Sequence, residues 1–180
     1  MKVTQTPISD LLVIELQVFS DQRGDFMESF SEKKLAEFIP NLNFVQDNHS
    51  VSKKNVIRGL HFQKPPFAQA KLVRVAKGSV IDFVLDIRAN SPTYGELFSI
   101  ELSAVNNKML YVPEGFAHGF LSLEDDTHFL YKCSQYYNPE SESGILYSSL
   151  KELLKFIKEP LINKKDGELE EFKTFKTPFL

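Results

Sequence analysis

The chain lacks several features that define whole classes of protein. Its 180 residues include one cysteine, Cys133, so an internal disulfide cannot form, and a reducing cytoplasm is the expected compartment. The longest apolar run near the N-terminus covers residues 11–14, which is too short for a signal peptide or a membrane span. We therefore expect a cytoplasmic protein that does not contact membranes.

An excess of positive charge is also absent. The formal net charge is −3 and the pI is about 5.8, so no broad positive field is available to bind nucleic acid. Repeats, low-complexity tracts and linkers rich in Gly, Ser or Pro are missing too. With 42% hydrophobic and 25% charged residues, the composition is that of one globular domain over residues 1–180.

What the chain does have is a series of short alternating segments between about residues 43 and 135. In residues 45–51, Gln46, Asn48 and Ser50 share one face of a predicted strand. The other predicted strands cover residues 71–76, 79–87, 98–103, 109–112 and 128–133, and Lys77-Gly78 is expected to form a hairpin turn. Closely spaced short strands indicate a mainly β protein, either a sandwich or a barrel.

Two segments have helical features. Residues 31–39 are predicted to form a short helix, with Ser31 as its N-cap and Pro40 just beyond its end. Residues 149–158 begin with a capping-box pattern and have leucines at helical spacing. The pattern alone therefore predicts a second helix there.

A small β-barrel often binds a metal ion, and two motifs bear on this. Metal-binding cupin barrels carry His-x-His followed by Glu in a first motif and Pro-x-Gly-x-x-His in a second. The second is complete in residues 113–118, ending at His118. In the first, Gln63 replaces the second histidine after His61, and no glutamate follows before Glu96. Two histidines from distant strands are too few for a tight transition-metal site, so we expect none.

His61 is instead a candidate general base. A lone histidine is usually a hydrogen-bonded core residue, but this one is accompanied by Arg58, Gln63 and, on the next strand, Lys71. Strict alternation places Arg58 and His61 on opposite faces of a strand. Both reach one pocket only if Gly59 permits a bulge or a bend.

Tyr131 and Lys71 each have a structural alternative. Without context, Tyr131 is interpreted as a barrel-wall residue with a satisfied hydroxyl, and Lys71 has the alternative of an exposed strand residue. Taken with His61, the two residues suit proton transfer on an anionic substrate.

These residues lie within a longer set of stretches that resembles one family. The stretches are residues 21–28, 46–50, 57–63, 68–74, 86–88, 91–95, 112–120, 131–140 and 143–145, in order across about residues 10–145. They resemble the nucleotide-sugar 3,5-epimerases of the dTDP-4-dehydrorhamnose 3,5-epimerase type.

The resemblance implies a double-stranded β-helix, the jelly-roll or cupin barrel, with short peripheral helices. It also implies a homodimer that needs no metal or organic cofactor and acts on a nucleotide-diphosphate sugar. In this family the base is like His61, its orienting carboxylate like Asp166, the acid like Tyr131 and the enolate-stabilising cation like Lys71. The implied substrate-binding residues are Arg23, Phe26, Glu28, Gln46, Asn48, Arg58, His118 and Tyr137.

The implied chemistry suits these residue types. A C4 ketone acidifies the hydrogens on C3 and C5, and removing one creates an enolate that a cation such as Lys71 stabilises. A histidine with a carboxylate partner titrates near the working pH, and a phenol can return a proton on the opposite face. Arginine forks pair with two oxygens of a diphosphate.

One stretch departs from the family. After residues 143–145 the family commonly has an aromatic residue followed by Asn-Asp, and then a short strand, whereas this chain has Tyr147-Ser148-Ser149. For residues 149–158 we follow the resemblance and expect a strand. The departure leaves open the nucleotide base (thymine or guanine), the sugar (hexose or heptose) and whether C3, C5 or both invert. A single-site epimerase, a ketoisomerase and a non-catalytic sugar-nucleotide-binding cupin are the alternatives.

Overall fold

The computed structural model describes residues 1–41 and 43–180, which form thirteen strands and two short α-helices. The elements are β1 (Lys2–Gln5), β2 (Leu12–Glu15), β3 (Val18–Asp21), β4 (Gly24–Met27), α1 (Glu32–Leu35), β5 (Gln46–Ser52), β6 (Ile57–Gln63), β7 (Lys71–Lys77), β8 (Ser79–Asp86), β9 (Leu97–Ser103), β10 (Lys108–Val112), β11 (Phe116–Ser122), β12 (Thr127–Cys133), β13 (Glu142–Gly144) and α2 (Lys164–Gly167). Each of the six strands predicted from alternation is present, with ends that differ by a few residues at most.

Two antiparallel sheets make up the barrel. The six-stranded sheet has the order β1-β2-β10-β7-β12-β5, and the five-stranded sheet has the order β13-β6-β11-β8-β9. Strands β3 and β4 form a separate hairpin. The predicted mainly β cupin barrel with short peripheral helices is confirmed.

The hairpin predicted at Lys77-Gly78 is wrong, because β7 and β8 lie in different sheets. Gly78 has a φ of +78°, and a Cβ placed on it would lie 2.5 Å from the Thr127 hydroxyl oxygen. This glycine therefore lets the chain pass closely by β12 as it crosses from one sheet to the other. Sequence alternation identified both strands but not their partners.

Apolar side chains fill the space between the sheets and also cover the outer face of the five-stranded sheet. Val73 and Val84, one from each sheet, belong to the inner cluster. The outer cluster joins Phe83 and Leu85 of β8 to the C-terminal segment, including Phe172. Because the five-stranded sheet is buried on both faces, the segment that follows β13 is anchored firmly against it.

Both helical predictions need correction. Ser31 does cap α1, accepting a hydrogen bond from the Lys34 amide at 3.4 Å, but the α-helix ends at Leu35 instead of residue 39. Residues 149–158 form neither a strand nor an α-helix; 3₁₀ turns cover Tyr147–Ser149 and Leu153–Lys155.

The hydroxyl of Ser149 explains part of this second difference. It donates to the Leu146 carbonyl and accepts from the Phe172 amide, so it does not cap a helix. Leu150, which follows it, is extended at ψ 104°. No helix in residues 1–41 and 43–180 is long and apolar enough to cross a membrane.

Candidate active site

Two adjoining cavities of about 260 and 370 Å³ are lined by side chains from both sheets. They share His61 from β6, Lys71 from β7, Tyr131 from β12 and Glu142 from β13. The predicted residues that line one or both are His61, Lys71, Tyr131, Asp166, Gln46, Asn48, Arg58, His118 and Tyr137. Nine of the twelve predicted site residues are therefore brought together within one chain.

His61 and Asp166 form a hydrogen-bonded pair. The Nε2 atom of His61 lies 2.8 Å from Oδ1 of Asp166, whose side chain is almost fully buried. Burial alone would raise the pKa of Asp166, but the hydrogen bond and charge of His61 and the Gly59 amide lower it overall. An ionised carboxylate only accepts hydrogen bonds, so Nε2 of His61 carries the proton and Nδ1 is the acceptor nitrogen.

A one-turn helix places Asp166 beside His61. The side chain of Asn163 caps α2 by accepting a hydrogen bond from the Asp166 amide at 2.7 Å. Short bridges on either side, Val56 to Leu161 and Ile145 to Glu170, attach the segment to the residues just before β6, which carries His61, and just after its neighbour β13. Sequence spacing did not indicate this approach, because the two residues are 105 positions apart.

A bulge at Gly59 brings Arg58 and His61 to the same cavity. His118 of β11 pairs with His61, and Phe120 pairs with Arg58, so three steps on β6 oppose two on β11. Gly59 has a φ of +109°, and a Cβ there would approach the Gly119 Cα and the His118 carbonyl oxygen to 2.6 Å. The predicted bulge is present, and it requires glycine.

The Gly59 bulge has a second effect on the site. The Gly59 amide donates a hydrogen bond to Oδ2 of Asp166 at 3.1 Å, while His61 occupies Oδ1. The bulge that brings Arg58 and His61 to one face of β6 therefore also holds the carboxylate that orients His61.

Lys71 and Tyr131 face the cavity from the six-stranded sheet. The Lys71 ammonium donates to the His61 carbonyl oxygen at 3.3 Å, and burial lowers the pKa of Lys71. Burial raises the pKa of Tyr131, with a further rise from Cys133 and an opposing effect of Arg58. Tyr131 is therefore a protonated donor at neutral pH.

His118 has a different environment from His61. Its Nε2 atom lies 3.0 Å from both carboxylate oxygens of Asp82, and both side chains are buried. Burial raises the pKa of Asp82, and the charge and hydrogen bond of His118 oppose that rise. This ring is held rigidly in the cavity wall. Across the described ranges, residues 1–41 and 43–180, no group of three or more His, Cys, Asp or Glu side chains could hold a metal ion.

Glu142 is a cavity residue that the sequence did not suggest. It accepts hydrogen bonds from the Tyr137 hydroxyl and the Lys165 ammonium. Burial would raise the pKa of Glu142, but these two donors lower it overall. The sequence around Glu142 did not predict its place in the cavity, because that place depends on the pairing of Glu142 with Gln63 on β6.

Three predicted binding residues lie away from the cavity. The side chain of Arg23 is 89% exposed at the β3–β4 hairpin and pairs with Asp21. Phe26 on the same hairpin is 69% exposed, and Glu28 pairs with Lys34 at 2.7 Å. Within one chain, these residues do not join the pocket that holds His61.

The sequence and the barrel fold match known proteins closely. The family model described as dTDP-4-dehydrorhamnose 3,5-epimerase matches residues 5–174. The enzyme of that name from Salmonella typhimurium is 52% identical over 149 residues, covering 82% of this chain and 81% of the relative. The one from Shigella flexneri is 46% identical over 174 residues, covering 96% of each.

A solved structure agrees. The dTDP-6-deoxy-D-glucose-3,5-epimerase of Legionella pneumophila, in complex with dTDP-4-keto-L-rhamnose, superposes with a TM-score of 0.89 at 39% identity. The match covers 97% of this chain and 94% of that one. Fold and site are therefore those of a cupin-barrel isomerase that acts on a nucleotide sugar. The chain belongs to the dTDP-4-dehydrorhamnose 3,5-epimerase family.

Proposed function

We propose that the protein inverts both C3 and C5 of a dTDP-linked 4-keto-6-deoxy hexose, through an enolate. The observation that carries this proposal is the His61–Asp166 pair in one cavity with Lys71 and Tyr131. The names of the relatives support thymidine as the nucleoside and both carbons as the sites of inversion.

His61 begins the reaction as the base. With Asp166 ionised and bound to Nε2, the Nδ1 lone pair accepts the proton from C3 or C5, and the carboxylate stabilises the imidazolium that forms. The electron pair of the broken C–H bond moves to the C4 oxygen. Lys71 stabilises that oxygen, since an ammonium in a partly dry cavity interacts strongly with a developing negative charge.

Tyr131 completes each inversion. Because its pKa is raised, the phenol holds its proton until the enolate carbon accepts it and the C4 carbonyl re-forms. Proton exchange with solvent then returns Tyr131 to the phenol and His61 to the neutral base before the next carbon reacts. Inversion follows if that proton arrives on the face opposite to His61. A carbon that regains its proton from His61 instead keeps its configuration but exchanges hydrogen with solvent.

We further propose a cytoplasmic homodimer, which would give the β3–β4 hairpin a role. Arg23 and Phe26 are both exposed. On a two-stranded hairpin, an exposed phenylalanine has little contact with other apolar side chains of its own chain. In a dimer, these residues and Glu28 could reach the cavity of the second chain, which already contains Arg58. The unpaired Cys133 suits a reducing compartment.

The test is to incubate the protein with dTDP-4-keto-6-deoxy-D-glucose in D₂O and to follow the sugar by NMR. Deuterium is expected at C3 and C5, with inversion at both, and treatment with EDTA should not slow the reaction. Deuterium at a single carbon would identify a single-site epimerase. Activity that EDTA abolishes and a divalent metal restores would refute the metal-independent mechanism.

A further inference from the structure

The segment that follows β12 borders the cavity without regular secondary structure of its own. Residues 136–138 lie in no helix or strand, and Tyr137, at their centre, lines the larger of the two cavities. Among the described residues, no backbone–backbone hydrogen bond joins residues 135–137 to another part of the chain. Since main-chain polar groups in a folded protein need partners, side chains must set the conformation of this segment.

The side-chain amide of Gln63, at the end of β6, holds the segment on both sides of Tyr137. Its Nε2 donates to the Tyr136 carbonyl oxygen at 3.2 Å, and its Oε1 accepts from the Asn138 amide at 2.7 Å. The same nitrogen donates to the Phe67 carbonyl oxygen at 2.6 Å, in the loop that follows β6. Gln63 is only 4% exposed, so these three hydrogen bonds are shielded from water.

Tyr137 depends on this support because packing holds it weakly. The residue is 54% exposed. Its amide donates to Oε1 of Gln46 at 3.0 Å, and its hydroxyl donates to Oε2 of Glu142 at 2.5 Å. Glu142 is in turn the register partner of Gln63. The place of the tyrosine ring at the cavity is therefore set by hydrogen bonds to its main chain and to its hydroxyl.

Glutamine suits position 63 for a chemical reason. The three contacts need two N–H donors and one acceptor, which a glutamine amide carries in one planar group. An ionised glutamate would set a carboxylate against two carbonyl oxygens, and a neutral histidine has one donor and one acceptor. The residue that replaces the second histidine of metal-binding cupins is thus fully used in bracing the edge of the cavity.

We propose that Gln63 is a positioning residue for substrate binding, whose amide fixes residues 136–138 so that Tyr137 stands at the cavity before the substrate arrives. The identity of the substrate rests on the proposed function, whereas the positioning rests on the hydrogen bonds of Gln63 itself. Without these bonds the segment would have to be ordered at each binding event. Ordering one residue weakens binding by roughly 5- to 30-fold.

Gln63→Met tests the proposal, because it removes the three hydrogen bonds at nearly constant volume. The Michaelis constant for dTDP-4-keto-6-deoxy-D-glucose should rise by roughly 5- to 30-fold. The turnover number should stay within about twofold, since the change affects binding in the ground state and the transition state alike. Amide hydrogen exchange of the unliganded protein, followed by NMR, should become faster at Tyr137 and Asn138.

Asn106→Leu is the matched control. The side-chain amide of Asn106 also makes three hydrogen bonds to the main chain, in the turn between β9 and β10. It accepts from the amides of Ser103 and Lys108 and donates to the Glu101 carbonyl oxygen. Because this turn lies outside both cavities, its loss should change neither the Michaelis constant nor hydrogen exchange at Tyr137.

A double substitution separates positioning from a general loss of stability. If Gln63 acts through Tyr137, adding Gln63→Met to Tyr137→Ala should raise the Michaelis constant by less than about twofold beyond Tyr137→Ala alone. Independent effects of the two substitutions would instead multiply, and that result would overturn the proposal.

The remaining outcomes distinguish this proposal from the proposed function. An unchanged Michaelis constant in Gln63→Met overturns the positioning role, and so does unchanged hydrogen exchange at Asn138. If the unsubstituted protein does not convert the dTDP sugar, the proposed function is wrong, and hydrogen exchange still decides whether Gln63 holds the segment. Should Gln63→Met fail to fold, Gln63→Glu keeps the size, loses both donors and should raise the Michaelis constant in the same way.

Discussion

Tyr131→Phe is the substitution that separates the two halves of the proposed reaction. The Tyr131 hydroxyl makes no hydrogen bond to any residue in the described ranges, and its ring packs near Phe129 with centroids 6.2 Å apart. Removing the oxygen leaves that packing intact, so we expect the free energy of unfolding to change by less than about 1 kcal/mol. Any large loss of activity would therefore be chemical in origin.

The expected chemical effect differs between exchange and inversion. His61 and Asp166 are untouched, so the variant should still remove a substrate proton and return deuterium from solvent to the same face. Inversion should fall by about 10²- to 10⁴-fold, the usual effect of losing a general acid. NMR in D₂O measures both rates in one sample, from loss of the C3 and C5 proton signals and from growth of the inverted sugar.

A matched control supports the interpretation. Tyr111 lies on β10 outside the two cavities, and burial raises its pKa to about 12. Tyr111→Phe removes a partly buried phenol of the same sheet and should leave exchange and inversion unchanged. Inversion by Tyr131→Phe at the original rate would refute the assignment of the acid, and Tyr137 would be the next candidate because it also lines the site.

Three further substitutions test the base and its support. His61→Ala should slow exchange by about a hundredfold or more in the same D₂O assay, and near-normal exchange would mean that the base lies elsewhere. Asp166→Asn should slow exchange by roughly 10- to 150-fold, the value of a hydrogen bond to a charged group. The folded pKa of Asp166 lies below its ordinary 3.8, so its stabilising effect is present above that pH and is lost as the pH falls through the folded pKa. The free energy of unfolding, measured between pH 2 and 6, should therefore fall less steeply with decreasing pH for Asp166→Asn than for the unsubstituted protein. Gly59→Ala should destabilise the fold by at least about 2 kcal/mol, because of its positive φ and its 2.6 Å contacts, whereas Gly167→Ala meets no atom within 4 Å and serves as the control in the same denaturation series.

Much of the barrel could be predicted from the sequence because its strands alternate in the ordinary way. Residues 46–52 alternate between partly buried and exposed side chains as expected, whereas residues 79–86 are buried on both faces, and both segments are strands. The pairing of the strands was harder to predict from the sequence. Lys77-Gly78 looks like a hairpin turn locally, yet the chain crosses between sheets there, and only the contact of Gly78 with Thr127 shows why.

The residues after β13 were the least predictable. Leu150, Leu153 and Ile157 have the spacing of a helix face, and they are indeed buried. They pack on the five-stranded sheet from short 3₁₀ turns, because tertiary contacts such as those of Ser149 override the local propensity. A spacing that predicts burial need not predict the helix that usually accompanies it.

Site residues could be predicted from the sequence where their chemistry follows from residue type. They could not be predicted where two residues far apart in the sequence come together in the fold. Arg58 and His61 could be linked through the glycine between them. The partnership of His61 with Asp166 came only from the resemblance to a family. Glu142 was found only in three dimensions, since it belongs to no local motif that indicates chemistry.

The long separation between His61 and its carboxylate has a consequence during synthesis. The ribosome adds residues from the N-terminus, so all thirteen strands of the described residues, including the eleven of the barrel, are made before Asp166. A nascent or truncated chain that ends earlier has the histidine without the group that fixes its tautomer. Under the proposed mechanism, catalytic competence therefore requires residues that follow β13, and enzyme activity reports on docking of the segment that contains Asp166 instead of on closure of the barrel.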